Sequence, residues 1–486
     1  MEITALGFIL LPLTLILIPR PSSLLQITFL ASAFGGAVPF IVPFGGERFA
    51  LPPDFLPGIV FIAVLGLDYM SRNLREIEGE VGRTIFPMIV FMATALAGAA
   101  ILPRLFMGEF QVWPQRPGFF NSAVWLVPNA GNVTQSLYLI VDTIFLVLAA
   151  LYVSRTFVRP MTIVHAYLAS GYLVVALTLW QFASKLTGIY YPEHFLYSNP
   201  RWAILTNQAV GNVHRINGPF VEPAALATYL SGVAFACLWL LLRGHESIWI
   251  RMLFLLSLIA ILLSTSTTGI VIVTLVIPAI LLRYAIRRES RFLSVALAGV
   301  VGGVLMIGII TYLSFPSFFF KIQMAMSTII DATLNKSGSV SYVDRTTIDL
   351  DSLSILAPSF GFGAGWGSVR SSSLIPGVLG NSGIPGLVLL CWFARRLMGL
   401  VAKARRTAAA GESLIAMNAM LGSVVGTLCA SLISGPSIDE IDFFLRLAIV
   451  IGCAARICRD AHVRALAPVS VLAFPVSSRI LPRSNP

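Results

Sequence analysis

The sequence predicts an all-α polytopic integral membrane protein with about 12 or 13 transmembrane helices. Of its 486 residues, 57% are hydrophobic and 11% are charged, and its mean hydropathy is +0.86. Soluble domains carry roughly 25% charged residues, so a soluble fold of this length could not keep so much apolar surface from water. The formal charge of +11 comes from basic residues between apolar runs, which indicates topology signals and no nucleic-acid partner.

Apolar runs of spanning length recur along the chain. They lie at residues 3–19, 24–44, 55–70, 85–107, 133–153, 162–185, 223–242, 292–314, 374–394, 413–433 and 443–458. A further run, 252–282, is too long for one ordinary helix and is interrupted by the polar residues Ser264 to Gly269. We interpret it as two short helices that meet at a polar kink, although one tilted helix is the alternative. Residues 1–460 are then one membrane domain, and 461–486 form a cytoplasmic tail.

The distribution of basic residues predicts the orientation. Most of the 33 lysines and arginines fall in alternate loops and in the tail, which the positive-inside rule assigns to the cytoplasm. The N-terminus is then on the opposite side of the membrane, and the alternation holds along the whole chain only if 252–282 crosses twice. Three longer loops, 108–132, 186–222 and 315–373, lie on the non-cytoplasmic side. Aromatic residues in 108–132 indicate a membrane-surface anchor or a substrate contact.

Few ionisable residues interrupt the apolar runs. Asp142 lies inside one run, and Arg104 and Arg446 lie near run ends, where Arg446 is able to snorkel to the surface. Transporters usually carry more charge at mid-membrane or show broken helices in matching halves. The five cysteines lack metal-ligand spacing, so we expect no disulfide, no metal site and no cofactor.

The first polar cluster runs from Arg215 to Pro223 and leads directly into an apolar helix. Pro223 suits the first helical turn, and Glu222 before it suits a helix N-terminus, so a capped helix start with a nearby salt bridge is one interpretation. The other is a functional pair, with Glu222 as a general base and Arg215 as an anion clamp. The substrate-binding candidates of this loop are Arg201, Asn217 and Gly218.

The second polar cluster is the glycine-rich stretch from Gly361 to Ser373, which precedes another apolar helix. Glycines allow close backbone approach, and successive N–H groups can cradle phosphate oxygens, while Arg370 would add a bidentate contact. A flexible lead-in to the helix is the alternative. The candidate substrate-binding residues of the 315–373 loop are Gly365, Gly367, Ser368 and Ser372 of this stretch, together with Arg345.

Both clusters gather arginines and N–H groups at the non-cytoplasmic surface, which suits the anionic head group of a lipid carrier. Guanidinium groups stabilise the charge that develops on a leaving pyrophosphate, and a carboxylate can accept the proton of an attacking sugar hydroxyl. Neither step needs a metal. Asp349 and Asp351 have the spacing of a metal–nucleotide motif, but they lie in a loop on the side where nucleotide sugars are absent.

These residues resemble the O-antigen ligase/polymerase superfamily of bacterial inner membranes, and within it the exopolysaccharide repeat-unit polymerases. The resemblance rests on the Arg215–Pro223 segment, the Ser264–Gly269 kink, and Gly361–Ser373 followed by Asn381–Leu387. Together with the polytopic layout it covers roughly residues 55–460.

The resemblance implies a GT-C-like membrane glycosyltransferase in the inner (cytoplasmic) membrane, with a periplasmic site and without a nucleotide-sugar domain. It implies a glycan donor on undecaprenyl pyrophosphate and transfer of the growing chain to a new lipid-linked repeat unit. By position, Arg215 and Arg370 match arginines that hold the pyrophosphate or sugar, and Glu222 matches the loop carboxylate. A chain-length regulator or co-polymerase and a flippase are the implied protein partners.

One departure favours polymerase over ligase. Ligases carry a histidine shortly after the glycine-rich segment, whereas this chain has Ser371 to Pro376 there without one. The alternatives are a ligase that transfers glycan to lipid A-core, a lipid-linked oligosaccharide flippase or transporter, and a glycosyltransferase that uses polyprenyl monophosphate sugars.

Overall fold

The computed structural model describes residues 2–44, 47–72, 79–115, 122–200, 209–210, 213–245, 247–286, 340–408, 411–435 and 440–466. The predicted span 292–314, the site candidate Arg201 and the end of the predicted tail lie outside these residues. The helices are α1 (Ala5–Ile16), α2 (Pro21–Ser32), α3 (Phe55–Arg72), α4 (Gly79–Leu105), α5 (Ala130–Val153), α6 (Pro160–Thr187), α7 (Glu193–Leu196), α8 (Pro223–Leu242), α9 (Ile248–Leu263), α10 (Thr267–Val271), α11 (Ile277–Ile286), α12 (Val340–Ser354), α13 (Leu374–Thr407), α14 (Glu412–Ser431) and α15 (Ile441–Leu466).

The structure agrees with a multi-pass α-helical membrane protein. Within the described residues, seven helical segments are long and apolar enough to cross a membrane, and three shorter helices are also apolar. The loops add a small antiparallel sheet in the order β1 (Glu2–Ile3), β2 (Phe40–Phe44), β3 (Glu47–Leu51), and two short hairpins, β4 (Gln111–Val112) with β5 (Val124–Trp125) and β6 (Ala209–Val210) with β7 (Val213–His214). The expectation of an all-α chain therefore holds for the membrane part, while the loops contain strands.

Helix α8 forms the centre of the bundle. It packs against α14 and α9, while α15 packs against α5 and α14. Most residues of α8 are buried on every side, as expected for a helix that is apolar around its whole circumference. Its N-terminal end therefore has a fixed position, and that end begins directly after Glu222.

The predicted span 24–44 is wrong as a single helix. Helix α2 ends at Ser32, and the chain then turns and continues into strand β2. Gly35 and Gly36 explain the turn, because a Cβ on Gly35 would meet the Phe220 ring at 2.5 Å and the Gly36 N–H donates to the Pro219 carbonyl at 2.7 Å. The apolar residues that follow therefore support the 186–222 loop instead of extending a membrane helix.

The predicted break in 252–282 is confirmed. Helix α9 ends at Leu263 and α10 begins at Thr267, with Thr265 at a positive φ of 48° between them. The chain reverses there, because a Cβ on Gly269 would meet Ile261 of α9 at 2.5 Å. At the far end, Arg243 after α8 and Tyr284 in α11 both interact electrostatically with Arg405. The two halves of this stretch are thus antiparallel, as the two-crossing interpretation requires.

The described loops separate into two ends of the bundle. At one end, the 108–132 loop meets α12 through a hydrogen bond from the Trp113 indole to Asp351, at 2.8 Å. At the other end, basic residues meet loop carbonyls and carboxylates, for example Arg456 with the Val158 carbonyl at 2.9 Å. The assignment of either end to the cytoplasm remains a prediction from the basic residues.

Candidate functional site

Glu222 lies at the start of α8, and its side chain turns away from the helix. It occupies the N-cap position with extended backbone angles, yet its carboxylate makes no capping hydrogen bond. Instead, its Oε2 accepts from Arg345 Nη2 at 3.4 Å. The side chains of Glu222 and Arg345 are 34% and 41% exposed, so both remain accessible. Of the two interpretations of Glu222, the salt bridge is present and the side-chain cap is absent.

Arg345 joins segments that are far apart in the sequence. It projects from α12, and its Nη1 donates to the Ser434 Oγ at 3.1 Å, just after the end of α14. Its other terminal nitrogen contacts Glu222 at the start of α8. Three helices therefore meet at this guanidinium, which places Arg345 beside the predicted catalytic carboxylate.

Arg215 reaches the same site from the loop before α8. It follows strand β7 and is largely buried. Burial lowers the pKa of the Arg215 guanidinium, the positive charge of Arg345 lowers it further, and the Glu222 carboxylate raises it. These effects put Arg215 within electrostatic range of both members of the ion pair.

Arg370 reaches the site from the other polar cluster. Its backbone N–H donates to the Trp113 carbonyl at 2.7 Å, which fixes the segment against the 108–132 loop. Burial lowers the pKa of the Arg370 guanidinium, Glu222 raises it, and Arg345 lowers it. The structure therefore brings the two predicted clusters together, with Arg215, Arg345 and Arg370 around Glu222.

Asn217 and Gly218 hold the loop that carries Arg215 and Glu222. Both backbone N–H groups donate to the Gln181 side-chain oxygen of α6, at 3.1 and 2.7 Å respectively. The Asn217 amide oxygen accepts from Gln181 Nε2 at 2.8 Å, and Asn217 is fully buried. Their placement gives these two residues a positioning role and lends no support to direct substrate contact.

The glycine-rich stretch packs on helices. A Cβ on Gly365 would meet the Gly98 carbonyl oxygen of α4 at 2.8 Å, and one on Gly367 would meet the Gly131 carbonyl oxygen of α5 at 2.3 Å. The Gly365 N–H donates to the Asn381 carbonyl at 3.0 Å. These glycines permit close backbone packing, so the phosphate cradle predicted for Gly365 and Gly367 gains no support.

Ser368 is enclosed in the same packing. It is fully buried, its hydroxyl donates to the Ala364 carbonyl at 3.0 Å, and it accepts from Asn132 Nδ2 at 2.8 Å. The predicted substrate contact of Ser368 therefore also lacks support from its position. Asn132 belongs to the first turn of α5, so this contact locks the glycine-rich stretch onto that helix.

A break in α13 completes this arrangement. Gly383 has non-helical angles (φ 63°, ψ −163°) inside the helix, at the motif that the sequence singled out after the glycine-rich stretch. The Ile384 N–H after it donates to the Gly361 carbonyl at 2.8 Å. Asn381 holds Val369 from both sides, since its amide accepts from the Val369 N–H at 3.0 Å and donates to the Val369 carbonyl at 2.8 Å. Arg370 thus follows directly after a residue that is held on both sides.

Ser372 is held by the carboxylate of Asp349, which is not among the site residues predicted from the sequence. Its N–H donates to Asp349 Oδ1 at 2.6 Å, and the Ser373 hydroxyl donates to Asp349 Oδ2 at 2.7 Å. Asp349 lies four residues after Arg345, on the same face of α12. Asp349 and Asp351 therefore have separate structural partners, since Asp351 accepts from the Trp113 indole. Nothing in this arrangement calls for the two carboxylates to bind one metal ion.

The kink that carried part of the resemblance lies next to the site helix. A Cβ on Gly269 would meet Ala227 at 3.3 Å, about one turn inside α8 from Glu222. The described residues contain no group of three or more His, Cys, Asp or Glu side chains placed to hold a metal ion. Within the described part of the chain, the site gathers Glu222 at the start of α8, Arg345 from α12, and Arg215 and Arg370 from the loops before α8 and α13.

Arg446 does not snorkel to the surface. It is 2% exposed, forms an ion pair with Asp442 at 2.9 Å, and donates to Thr427 Oγ1 at 2.5 Å. Its guanidinium carbon also lies 5.6 Å from the centre of the Tyr167 ring. Paired acceptors inside the bundle make burial of this charge tolerable, because an unpaired charge there would be much more costly.

The chain matches no protein-family model and no curated protein. At the loop-rich end of the helical bundle, three guanidinium groups surround one partly exposed carboxylate.

Proposed function

We propose that this protein is a GT-C-like membrane polymerase that joins lipid-linked oligosaccharide repeat units at the periplasmic face of a bacterial inner membrane. The donor is a growing glycan on undecaprenyl pyrophosphate, and the acceptor is a sugar hydroxyl of a new repeat unit on the same carrier. A flippase that delivers the repeat units and a chain-length regulator are the partners this function calls for.

The convergence of Arg215, Arg345 and Arg370 on Glu222 supports this proposal. Two arginines are largely buried, so their positive charges are retained at an energetic cost. Three guanidinium groups gathered around one partly exposed carboxylate suit a multiply charged anion such as a pyrophosphate. Arginine suits this task because its planar fork binds phosphate oxygens in a bidentate way.

The chemistry follows from these groups. The acceptor hydroxyl oxygen attacks the anomeric carbon of the donor sugar, a new C–O bond forms, and the C–O bond to the carrier pyrophosphate breaks. Glu222 accepts the hydroxyl proton, and the bonding electron pair leaves with the pyrophosphate. Arg215 and Arg370 stabilise the charge that grows on the leaving group, while Arg345 orients the Glu222 carboxylate.

A deletion strain tests the proposal. Its lipid-linked glycans and surface polysaccharide would be extracted and sized beside those of the parent strain. We expect loss of the polymer with single repeat units left on the lipid carrier. Full-length polymer stranded on the carrier would instead identify a ligase, and normal glycans of every size would refute the family reading.

A further inference from the structure

A cavity lies at the end of the bundle opposite the candidate active site. It has a volume of about 650 Å³ and opens between α4 and α13. Glu80, Arg83 and Thr84 line it from α4. The α13 side is lined by Trp392, Arg395, Arg396, Gly399, Leu400 and Lys403.

The cavity carries an excess of positive charge. Lys403 and Glu80 form an ion pair across it, with 2.5 Å between Nζ and Oε1. Beyond this pair, the cavity is lined by three arginines, Arg83, Arg395 and Arg396, all exposed. Guanidinium groups grouped on the rim of a cavity form a site for phosphate oxygens.

An apolar surface continues from the cavity along the same two helices. Phe86 of α4 and Trp392 of α13 pack edge to face, with ring centroids 6.0 Å apart. Phe86, Ile89 and Val388 are 53%, 39% and 59% exposed, so this surface faces the lipid of a membrane-spanning bundle. Tryptophan beside basic residues is typical of the membrane–water interface, with head groups on one side and acyl chains on the other.

We propose that this cavity binds an anionic phospholipid, with the phosphate head group held by Arg83, Arg395 and Arg396 and the acyl chains lying along Phe86 and Val388. Basic pockets between transmembrane helices on the cytoplasmic side bind such head groups in membrane proteins, and cytoplasmic leaflets carry anionic lipid. The site does not depend on the polymerase proposal, and either one can fail without the other.

The continuity of charged and apolar surfaces favours a lipid over a free phosphate. A free phosphate would use the arginines alone, whereas a phospholipid also covers the exposed apolar side chains above them. Gly399 gives room for the head group, because a Cβ added there would meet no atom within 4 Å.

Native mass spectrometry of the delipidated full-length protein tests the site. Dioleoyl phosphatidylglycerol and dioleoyl phosphatidylcholine would be titrated separately, and the dissociation constant of the first bound lipid measured for each. We expect tighter binding of phosphatidylglycerol to the native protein. R395Q/R396Q should weaken it by roughly tenfold to thirtyfold, since each basic residue near an anionic head group contributes to binding.

Two further variants sharpen the test. R159Q/R406Q removes two exposed arginines from the same end of the bundle but outside the cavity, so its binding should change less than about threefold. Gly399→Trp fills the cavity without a change of charge and should also weaken binding. The proposal would be overturned if R159Q/R406Q weakened phosphatidylglycerol binding as much as R395Q/R396Q does. It would also be overturned if neither R395Q/R396Q nor Gly399→Trp weakened that binding.

Soluble competitors distinguish the source of the phosphate. Inorganic phosphate and glycerol phosphate should displace phosphatidylglycerol only at concentrations far above that of the lipid. If either competes at the lipid's own concentration, the cavity binds phosphate groups without regard to acyl chains, and the assignment to a phospholipid is wrong.

Discussion

At the start of α8, Glu222 could bond the free N–H groups of the helix or an arginine from another segment, and it contacts Arg345. A partly exposed ion pair of this kind contributes less than about 1 kcal/mol to folding. Stability therefore explains little of this arrangement. A carboxylate that is accessible, oriented and surrounded by cations is better suited to chemistry than to holding the helix.

Replacing Glu222 by glutamine tests its role. Gln keeps the size of the side chain and a hydrogen-bond acceptor for Arg345, but it cannot accept a proton. We expect polymer formation to fall by roughly 10²- to 10⁴-fold, the range of general base catalysis. The unfolding temperature of the purified protein should hardly change. Full activity of Glu222→Gln would make the residue structural.

Arg215 and Arg370 are expected to be essential for a different reason. Arg215→Ala and Arg370→Ala should each abolish polymer formation while the protein still inserts normally into the membrane, as measured by glycan sizing and membrane immunoblots. Arg370→Lys should also be poor, because an ammonium group is a point charge and cannot make a bidentate contact. Near-normal polymer in both alanine variants would eliminate the anion clamp.

Asp54 connects pH to stability. It is 6% exposed just before α3, and burial, followed by the nearby Asp442 charge, raises the pKa of its carboxyl to about 7. Because the folded pKa lies above the unfolded value, the contribution of Asp54 is fully present below about pH 4 and is lost as the pH rises towards 7. Ionised Asp54 therefore destabilises the fold at pH 8.

Asp54→Asn removes this titration and retains an oxygen for the backbone hydrogen bonds. We expect the variant to be more stable than the native protein at pH 8, by a few kcal/mol at most, with the difference shrinking between pH 7 and pH 5. Thermal unfolding in detergent across this pH range measures it. A difference that stays constant with pH would exclude titration of Asp54 as its cause.

The charged residues of the site could be predicted from the sequence, whereas the residues that hold them in position could not. Arg215, Glu222 and Arg370 could be selected because charged residues beside apolar helix starts are conspicuous in a chain with few charges. Gln181 lies inside an apolar helix, and Asp349 lies in a stretch for which the sequence predicts a loop, where its spacing from Asp351 suggested only a metal motif. Neither residue was therefore predicted to support the site. The roles of Gln181 and Asp349 depend on which segments of the chain lie next to each other in the folded protein. A local sequence pattern does not predict such contacts.

Helix α12 assembles the site at the scale of the element. Arg345, Asp349 and Ser352 are spaced at i, i+4 and i+7, so they share one face of this helix. Arg345 bonds the α8 start, Asp349 bonds the α13 start, and the Ser352 hydroxyl lies 3.4 Å from the Arg370 carbonyl. The sequence predicts a loop for this stretch, because the helix is polar and its binding face has no apolar periodicity.

Asp349 is therefore expected to position Arg370 without contact with the substrate. Asp349→Ala should lower polymer formation at least tenfold, whereas Asp349→Asn should keep part of it, because its amide oxygen can still accept from the Ser372 and Ser373 N–H groups. In membranes supplied with lipid-linked repeat units, Asp349→Ala should raise KM more than it lowers kcat. Rescue by asparagine and this KM shift separate positioning from a general loss of fold.

Asp344→Asn is the matched control, since Asp344 is an exposed residue of the same helix. Its activity should equal that of the native protein. Equal losses in the Asp344 and Asp349 variants would show that α12 tolerates no change of charge, which would remove the specific role assigned to Asp349.

Two other stretches show when the length of an apolar run predicts a membrane-spanning helix and when it does not. The interruption at Ser264–Gly269 predicted a break correctly, because polar side chains and a glycine free the backbone to turn. The run 24–44 misled the prediction, because Gly35 and Gly36 allow the close approach of Phe220 and Pro219 and so turn the chain. A hydropathy pattern records the apolar character of such a segment but not the loop against which it packs.

The whole molecule has two chemically different ends. The site end gathers Glu222 and the three arginines around it, with loops that pack on each other through Trp113 and Asp351. The opposite end contains the cavity between α4 and α13, which is proposed to bind a phospholipid, and the arginines that donate to loop carbonyls. The positive-inside rule predicts that this second, basic end is cytoplasmic, and the proposed periplasmic reaction requires the same orientation.

Topology reporters test this prediction directly. A reporter fused at residue 340 should report the periplasm, and one fused at residue 410 should report the cytoplasm. The two positions flank α13, which contains a predicted span, so their signals must be opposite if that helix crosses the membrane. If residue 340 reports the cytoplasm and residue 410 the periplasm, the arginine site lies on the cytoplasmic side. The proposed polymerisation at the periplasmic face is then impossible. Identical signals would mean that α13 does not cross the membrane, which would contradict its placement between the two ends of the bundle.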